Sequence, residues 1–145
     1  MLKALCLARQ AAEMGEIPVG AVVVKNDKII SEAHNEVEKN ADQTLHAEIL
    51  AIRRASQKLS NWRLNGCSLY VTLEPCPMCL GAAILSRIDS IYFGAHDERL
   101  GAAGSCFDIS EHPKLPHQIS VFSGIMAKES KELLRKFFED KRKVS

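Results

Sequence analysis

The chain has 145 residues, 46% hydrophobic and 26% charged, with a formal net charge of +1. That length supports one domain with a core large enough to fold without disulfides, and the composition excludes a disordered chain. A membrane protein is excluded too, because no apolar stretch approaches the roughly 20 residues a span requires.

Leu2, Leu5, Ala8 and Ala12 recur at helical spacing and predict an amphipathic opening helix that ends near Gly15. Gly20 to Val24 and Lys28 to Ala33 are β-rich runs around Asn26-Asp27, the signal of a hairpin. His46 to Leu59 reads as a helix with Ile49, Leu50 and Ile52 inward and Arg53, Arg54 and Lys58 outward. A strand is expected over Cys67–Leu73, then a well-buried helix over Pro77–Arg87, a strand over Ile88–Gly94 and a fifth over His117–Phe122. Ile125 to Lys141 predicts a closing amphipathic helix. Strands alternating with helices after a hairpin imply an α/β domain of three layers, α/β/α, around a five-stranded mixed sheet. No repeat or linker divides residues 1–145, so one domain is expected. Between Ala95 and Pro116 the pattern dissolves into a long loop of the kind that carries function.

Two short segments carry the chemistry. His46-Ala47-Glu48 and Pro75-Cys76-Pro77-Met78-Cys79 supply one imidazole and two thiols, a donor set suited to Zn²⁺. Three protein donors leave one coordination position for water, which distinguishes a catalytic zinc from a structural one. Cys76 and Cys79 are three apart at the start of a predicted helix, so they share a face, and the helix N-terminus favours their thiolate forms. Pro77 suits the first helical turn because its missing N–H costs nothing there. Glu48 is the candidate proton shuttle, base first and acid later. One geometric demand follows: residues two apart on a helix diverge, so His46 must sit at the helix edge or Glu48 must reach across the pocket. The C-x-x-C alone would also suit half a structural zinc ribbon or a redox dithiol. Neither accounts for the His-Ala-Glu segment, and Cys6, Cys67 and Cys106 offer no second paired spacing.

The remaining candidates read more plainly. His34, His96, His112 and His117 are expected to be surface, loop or hydrogen-bonded residues, Cys6 and Cys67 core fillers, Cys106 a bystander and Trp62 a partly buried core residue. The odd cysteine count, with two residues claimed by metal, and the lack of an N-terminal leader pattern predict a reduced, cytoplasmic setting. From Lys128 to Lys143 seven Lys and Arg face four Asp and Glu, ending in Lys141-Arg142-Lys143. That surplus is either a solvated face with a basic tail or a clamp for nucleic-acid phosphates. Arg135-Lys136-Phe137-Phe138 sets aromatics beside cations, as single-stranded loop binding requires; one phenylalanine is expected to pack on the sheet and the other to meet RNA.

H-x-E followed by P-C-x-x-C is the signature of zinc-dependent nucleobase deaminases. Further segments resemble the bacterial tRNA-specific adenosine deaminases over nearly the whole chain: Ile17-Pro18-Val19-Gly20-Ala21-Val22, Ala33-His34-Asn35, Leu69 through Cys79, Phe93 through Asp97, and Gly101-Ala102-Ala103-Gly104-Ser105. The resemblance implies a cytidine-deaminase-like fold and conversion of adenosine to inosine at the wobble position of an anticodon, typically of an arginine tRNA. It also implies a homodimer with one Zn²⁺ per subunit, held by His46, Cys76 and Cys79, with Glu48 shuttling protons. Asn35 would bond the flipped-out adenosine, backbone N–H groups around Ala47 would bound the pocket, and Asp97 would contact the neighbouring nucleotide. Phe137, Phe138 and Arg142 would support the anticodon loop. The alternatives are a guanine, cytosine or cytidine-type deaminase on the same fold, or a non-catalytic RNA-binding subunit with structural zinc; retention of Glu48 argues against the second.

Overall fold

The computed structural model describes residues 1–144. Helix α1 (Leu2–Glu13) turns a stripe of Ala4, Leu5, Leu7, Ala8 and Ala11 inward. It ends at Met14, and Gly15 takes the left-handed conformation (φ +80°) that releases the chain. Strands β1 (Gly20–Lys25) and β2 (Lys28–His34) pair antiparallel, and the Asn26-Asp27 turn has positive φ at both residues, the twist a two-residue hairpin requires. Gly20 is obligatory for packing: a Cβ there would lie 2.0 Å from the Ala4 carbonyl oxygen, so α1 rests directly on β1.

Four residues past β2 form a short helix α2 (Val37–Asn40), followed by α3 (Ala47–Leu59), β3 (Cys67–Leu73), α4 (Pro77–Leu85) and β4 (Ser90–Ala95). A 3-10 turn at Ile109–Glu111 interrupts the long loop before β5 (Ser120–Phe122) and α5 (Ala127–Val144). The sheet order is β2-β1-β3-β4-β5, with β1–β3 antiparallel and β3–β4–β5 parallel, the expected five-stranded mixed sheet. Alternate residues face opposite layers. Ala21, Val23, Leu69, Val71, Ile91 and Phe93 join Leu50, Ala51 and Ala55 of α3 and Leu80, Ala83 and Ile84 of α4 in the main core. On the other face α1 packs against β1 and β2, and α5 packs against β4.

Several expectations shift for local reasons. Helix α4 stops at Leu85 because the Arg87 N–H donates to Ile84 O and the Ile88 N–H to Ala83 O, with Arg87 left-handed (φ +64°). Those bonds also delay β4 to Ser90. Its burial is half what composition suggests: Cys79, Leu80, Ala83 and Ile84 are buried, but Leu85 and Met78 face solvent. Strand β5 is only three residues long, since His117 spends its Nε2–H on Ile88 O (2.7 Å) before the ladder begins at Ser120. Cys67 is buried as expected, whereas Cys6 is exposed, and Trp62 is exposed beneath the Arg63 guanidinium, 4.3 Å from its ring centre.

Candidate active site

The register places one edge of the sheet in charge of the site. Gly20 opposes His34, and Leu73 opposes Ala95, so the segments before β1, after β2, after β3 and after β4 all emerge on one side. This is the crevice beyond the carboxyl ends of the parallel strands, where α/β sheets hold ligands.

Two helix beginnings meet there. His46 is the N-cap of α3 and Cys76 the N-cap of α4, both with extended backbone (ψ 154° and 172°). The geometric demand noted above is thereby met: His46 stands outside the helical twist, so it and Glu48 can address one point. The His46 Nδ1 lies 3.7 Å from the Cys76 Sγ and 3.5 Å from the Cys79 Sγ, and all three donor atoms fall within 4.8 Å of one another. Donors around a tetrahedral zinc stand roughly 3.6 Å apart, so the spacing fits that ion.

The protonation pattern agrees. Hydrogen bonds from Cys79 and from His46 hold the Cys76 thiol down at about 4, despite burial that opposes ionisation. The Cys79 thiol is pushed up by its bond to Cys76 and by burial, and His46 is raised by Cys76. Thiolate, thiol and imidazole thus share protons that a cation would displace. Glu48 is buried, and desolvation pushes its pKa up to about 7 even though the His46 charge opposes the shift. A carboxyl poised there can both take and give a proton near neutrality.

A cavity of about 440 Å³ opens over this group, lined by His46, Glu48 and Cys76 on its floor. Asn35 lines it as well, with its amide engaged at both ends: Oδ1 accepts from the Ala47 N–H (2.8 Å) and Nδ2 donates to Ile17 O (3.2 Å). Ala47 itself is wholly buried, so its N–H fixes the turn that presents His46 instead of pointing into the cavity. Asp97 lines the opposite wall beside Arg99 and Leu100, its Oδ1 accepting the Arg99 N–H (3.0 Å). From α5 both Phe137 and Phe138 reach the cavity, edge to face with centres 5.4 Å apart, and Lys141 stands 5.4 Å over the Phe137 ring. Both phenylalanines therefore combine packing with access. Arg142, one residue farther along, is exposed and outside the lining.

Two buried carboxylates near the cavity escaped the motif reading. Glu16 accepts the Glu38 and Lys39 N–H groups (2.9 and 2.8 Å) and so pins α2 as one wall. Glu74, at the end of β3, receives backbone N–H groups from Asp97, Ala103 and Ser105. Burial opposes its ionisation, but the bonds from Ser105, Asp97 and Ala103 prevail and its pKa lies below the usual carboxylate value. The signal for both was an acidic residue inside an otherwise apolar run.

Comparison with known proteins agrees with this geometry. The family of MafB19-like deaminases matches residues 1–142. The tRNA-specific adenosine deaminase of Aquifex aeolicus is 48% identical over 94% of this chain and 89% of its own length. That of Bacillus subtilis is 44% identical over 99% of this chain and 89% of its own. A solved structure from studies of A-to-I editing by tRNA:A34 deaminases superposes with a TM-score of 0.89 at 42% identity, covering 92% of this chain and 97% of that one. The guanine deaminase of Nitrosomonas europaea shares the fold at a lower level, TM-score 0.77 and 29% identity, covering 92% of this chain and 80% of that one. With fold, cavity and near-complete alignment in accord, the chain belongs to the family of tRNA-specific adenosine deaminases.

Proposed function

We propose that this enzyme hydrolyses adenosine to inosine at the wobble position of a tRNA anticodon, releasing ammonia. One observation carries the reading: a chain alike over nearly its whole length to tRNA-specific adenosine deaminases gathers His46, Cys76 and Cys79 into one cluster, and His46 and Cys76 of that cluster share the floor of one cavity with Glu48. Zn²⁺ is the ion we assign to the cluster. Bound there, it would lower the pKa of a water at its open position and so supply a nucleophile at neutral pH.

The rest falls to the chain. Glu48 takes a proton from the attacking water and passes it to N1 of the adenine ring as the new C6–O bond forms. It then takes the remaining proton from the new C6 hydroxyl and gives it to the 6-amino group, so that the C6–N bond breaks, the C6 carbonyl of inosine forms and ammonia departs. A base stacked in RNA cannot expose C6, so it must be splayed into the cavity, which is cheapest in a single-stranded loop. Asn35 and Ala47 hold the wall the base meets, Asp97 takes the neighbouring nucleotide, and Phe137, Phe138 and Arg142 support the loop. The basic end of α5 suits the phosphates.

The same proposal covers an arginine tRNA as substrate, a single deaminase domain over residues 1–145, a cytoplasmic location and a homodimer. Apolar Met78 and Leu85, left in water on α4, favour the homodimer. No helix among the described residues is long and apolar enough to cross a membrane. The test offers the zinc-loaded protein an anticodon stem-loop with A at the wobble position, beside free adenine, guanine and cytosine. Inosine is expected in the RNA alone; ammonia from a free base would reassign the substrate.

A further inference from the structure

The Gly101-Ala102-Ala103-Gly104-Ser105 segment has no part in the proton transfers, yet it wraps closely around one buried side chain. Glu74 is 2% exposed, and its two oxygens are taken up by residues 96–105. Oε1 accepts the Asp97 N–H (3.0 Å) and the Ser105 hydroxyl, with the His96 Nδ1 at 3.3 Å. Oε2 accepts the N–H groups of Ala103 (3.0 Å) and Ser105 (3.1 Å). Gly101 must be glycine for this approach, because a Cβ there would stand 2.4 Å from the Glu74 carboxyl carbon and 2.5 Å from Asp97 O. The Ala102 N–H adds a bond to Pro75 O (2.9 Å), fastening the same segment to the residue after Glu74. Asp97, Arg99 and Leu100, inside the gathered stretch, form one wall of the cavity.

We propose that Glu74 is a positioning residue for RNA recognition: it gathers the 96–105 segment so that Asp97 is held at the cavity wall, and it acts through Asp97 instead of through the chemistry of Glu48. The proposal rests on the reading that RNA is the substrate. A charged acceptor is needed because four donors converge on two oxygens. Glutamine would keep the shape but turn an NH₂ group toward donors, leaving part of the segment unpaired.

The experiment compares Glu74→Gln, Asp97→Ala and the double variant as purified zinc-loaded proteins. It measures zinc per chain, amide hydrogen exchange, and kcat and KM on the anticodon stem-loop. For Glu74→Gln we expect zinc unchanged, faster exchange confined to residues 96–106, and KM raised roughly ten- to hundredfold with kcat within about threefold. The double variant should be no worse than the poorer single variant by more than about twofold, since the two residues act in one chain of contacts. Independent, multiplying losses would overturn the proposal, as would a fall in kcat at constant KM. Should Glu74→Gln fail to fold, Ser105→Ala removes one donor only and carries the same tests, with KM up roughly three- to tenfold. If the unaltered protein leaves the stem-loop intact, it is the substrate reading that fails. The exchange measurement still decides the role of Glu74, and unchanged exchange over 96–106 overturns it.

Discussion

Helices α3 and α5 flank the same cavity and are held in opposite ways. Helix α3 buries Ala47, Glu48, Leu50, Ala51, Ile52 and Ala55 within 13 residues, and it joins the main core beneath the sheet. Helix α5 is longer, at 18 residues, yet buries only Ser130. Its apolar stripe of Leu133, Leu134, Phe137 and Phe138 is half covered. The two helices divide the labour accordingly. Proton transfer needs donor and acceptor within hydrogen-bond reach, so its residues start a helix whose position the core determines. RNA binding needs adaptable contact over a wide surface, and a helix docked at few points can supply it.

The sharpest way to break this division is to remove one group from each side. Glu48→Ala should keep the cluster and the fold while kcat falls by roughly 10²–10⁴, the usual worth of a general acid–base group. Zinc analysis and steady-state kinetics on the stem-loop provide the check, and near-normal turnover with metal present would falsify the assignment. On the other side, Phe137→Ala should act on KM. Loss of one stacked base contact, about 1–3 kcal/mol, raises it about 5- to 150-fold with kcat nearly constant. If kcat falls instead and KM stays put, α5 belongs to the chemical machinery and the division collapses.

How much of this was legible in the sequence follows the same line. The donor set is local, two short segments whose spacing alone brings Cys76 and Cys79 onto one turn, and the hairpin is legible in Asn26-Asp27. The position of His46 as an N-cap was open, because helix boundaries depend on where backbone bonds begin, and only the Asn35–Ala47 bond across 12 positions settles it. For Glu74 the acidic residue in an apolar run is visible but its role is not: its partners lie 22 to 31 residues downstream, and no periodicity reports a carboxylate waiting for a distant loop. Helix α2 is a single turn, too short for a pattern, and its position comes from Glu16 more than 20 residues earlier. The exposed side of α4 shows the limit of composition. A run of small apolar residues resembles a buried helix whether one face is covered or both.

A smaller effect tests how α5 is docked. The buried Ser130 hydroxyl donates to Thr72 O, at a point where Gly94 leaves no room for a side chain. Ser130→Ala should cost about 1 kcal/mol, lowering Tm by about 2–5 °C, while kcat is retained. Thermal unfolding with parallel kinetics measures both; an unchanged Tm would mean that apolar contact alone holds the helix.

The smallest effect separates two cations on that helix. Lys141 lines the cavity over the Phe137 ring, whereas Arg135 is turned outward and paired with Glu132 and Glu139 (2.5 Å to the latter). A cation that meets phosphate releases bound counterions, which makes affinity fall with salt by a slope of roughly 0.7 per contact on single strands. Arg135 already faces two carboxylates, so its charge has little left to offer a phosphate. Lys141→Ala should therefore weaken stem-loop binding a few-fold and flatten the salt slope by roughly that one contact. Arg135→Ala should leave both the slope and the Tm where they were, as exposed ion pairs contribute little. Binding titrations at several salt concentrations distinguish the two. Equal flattening by both variants would mean that RNA reaches the outer face of α5, and the cavity-facing stripe would lose its special place.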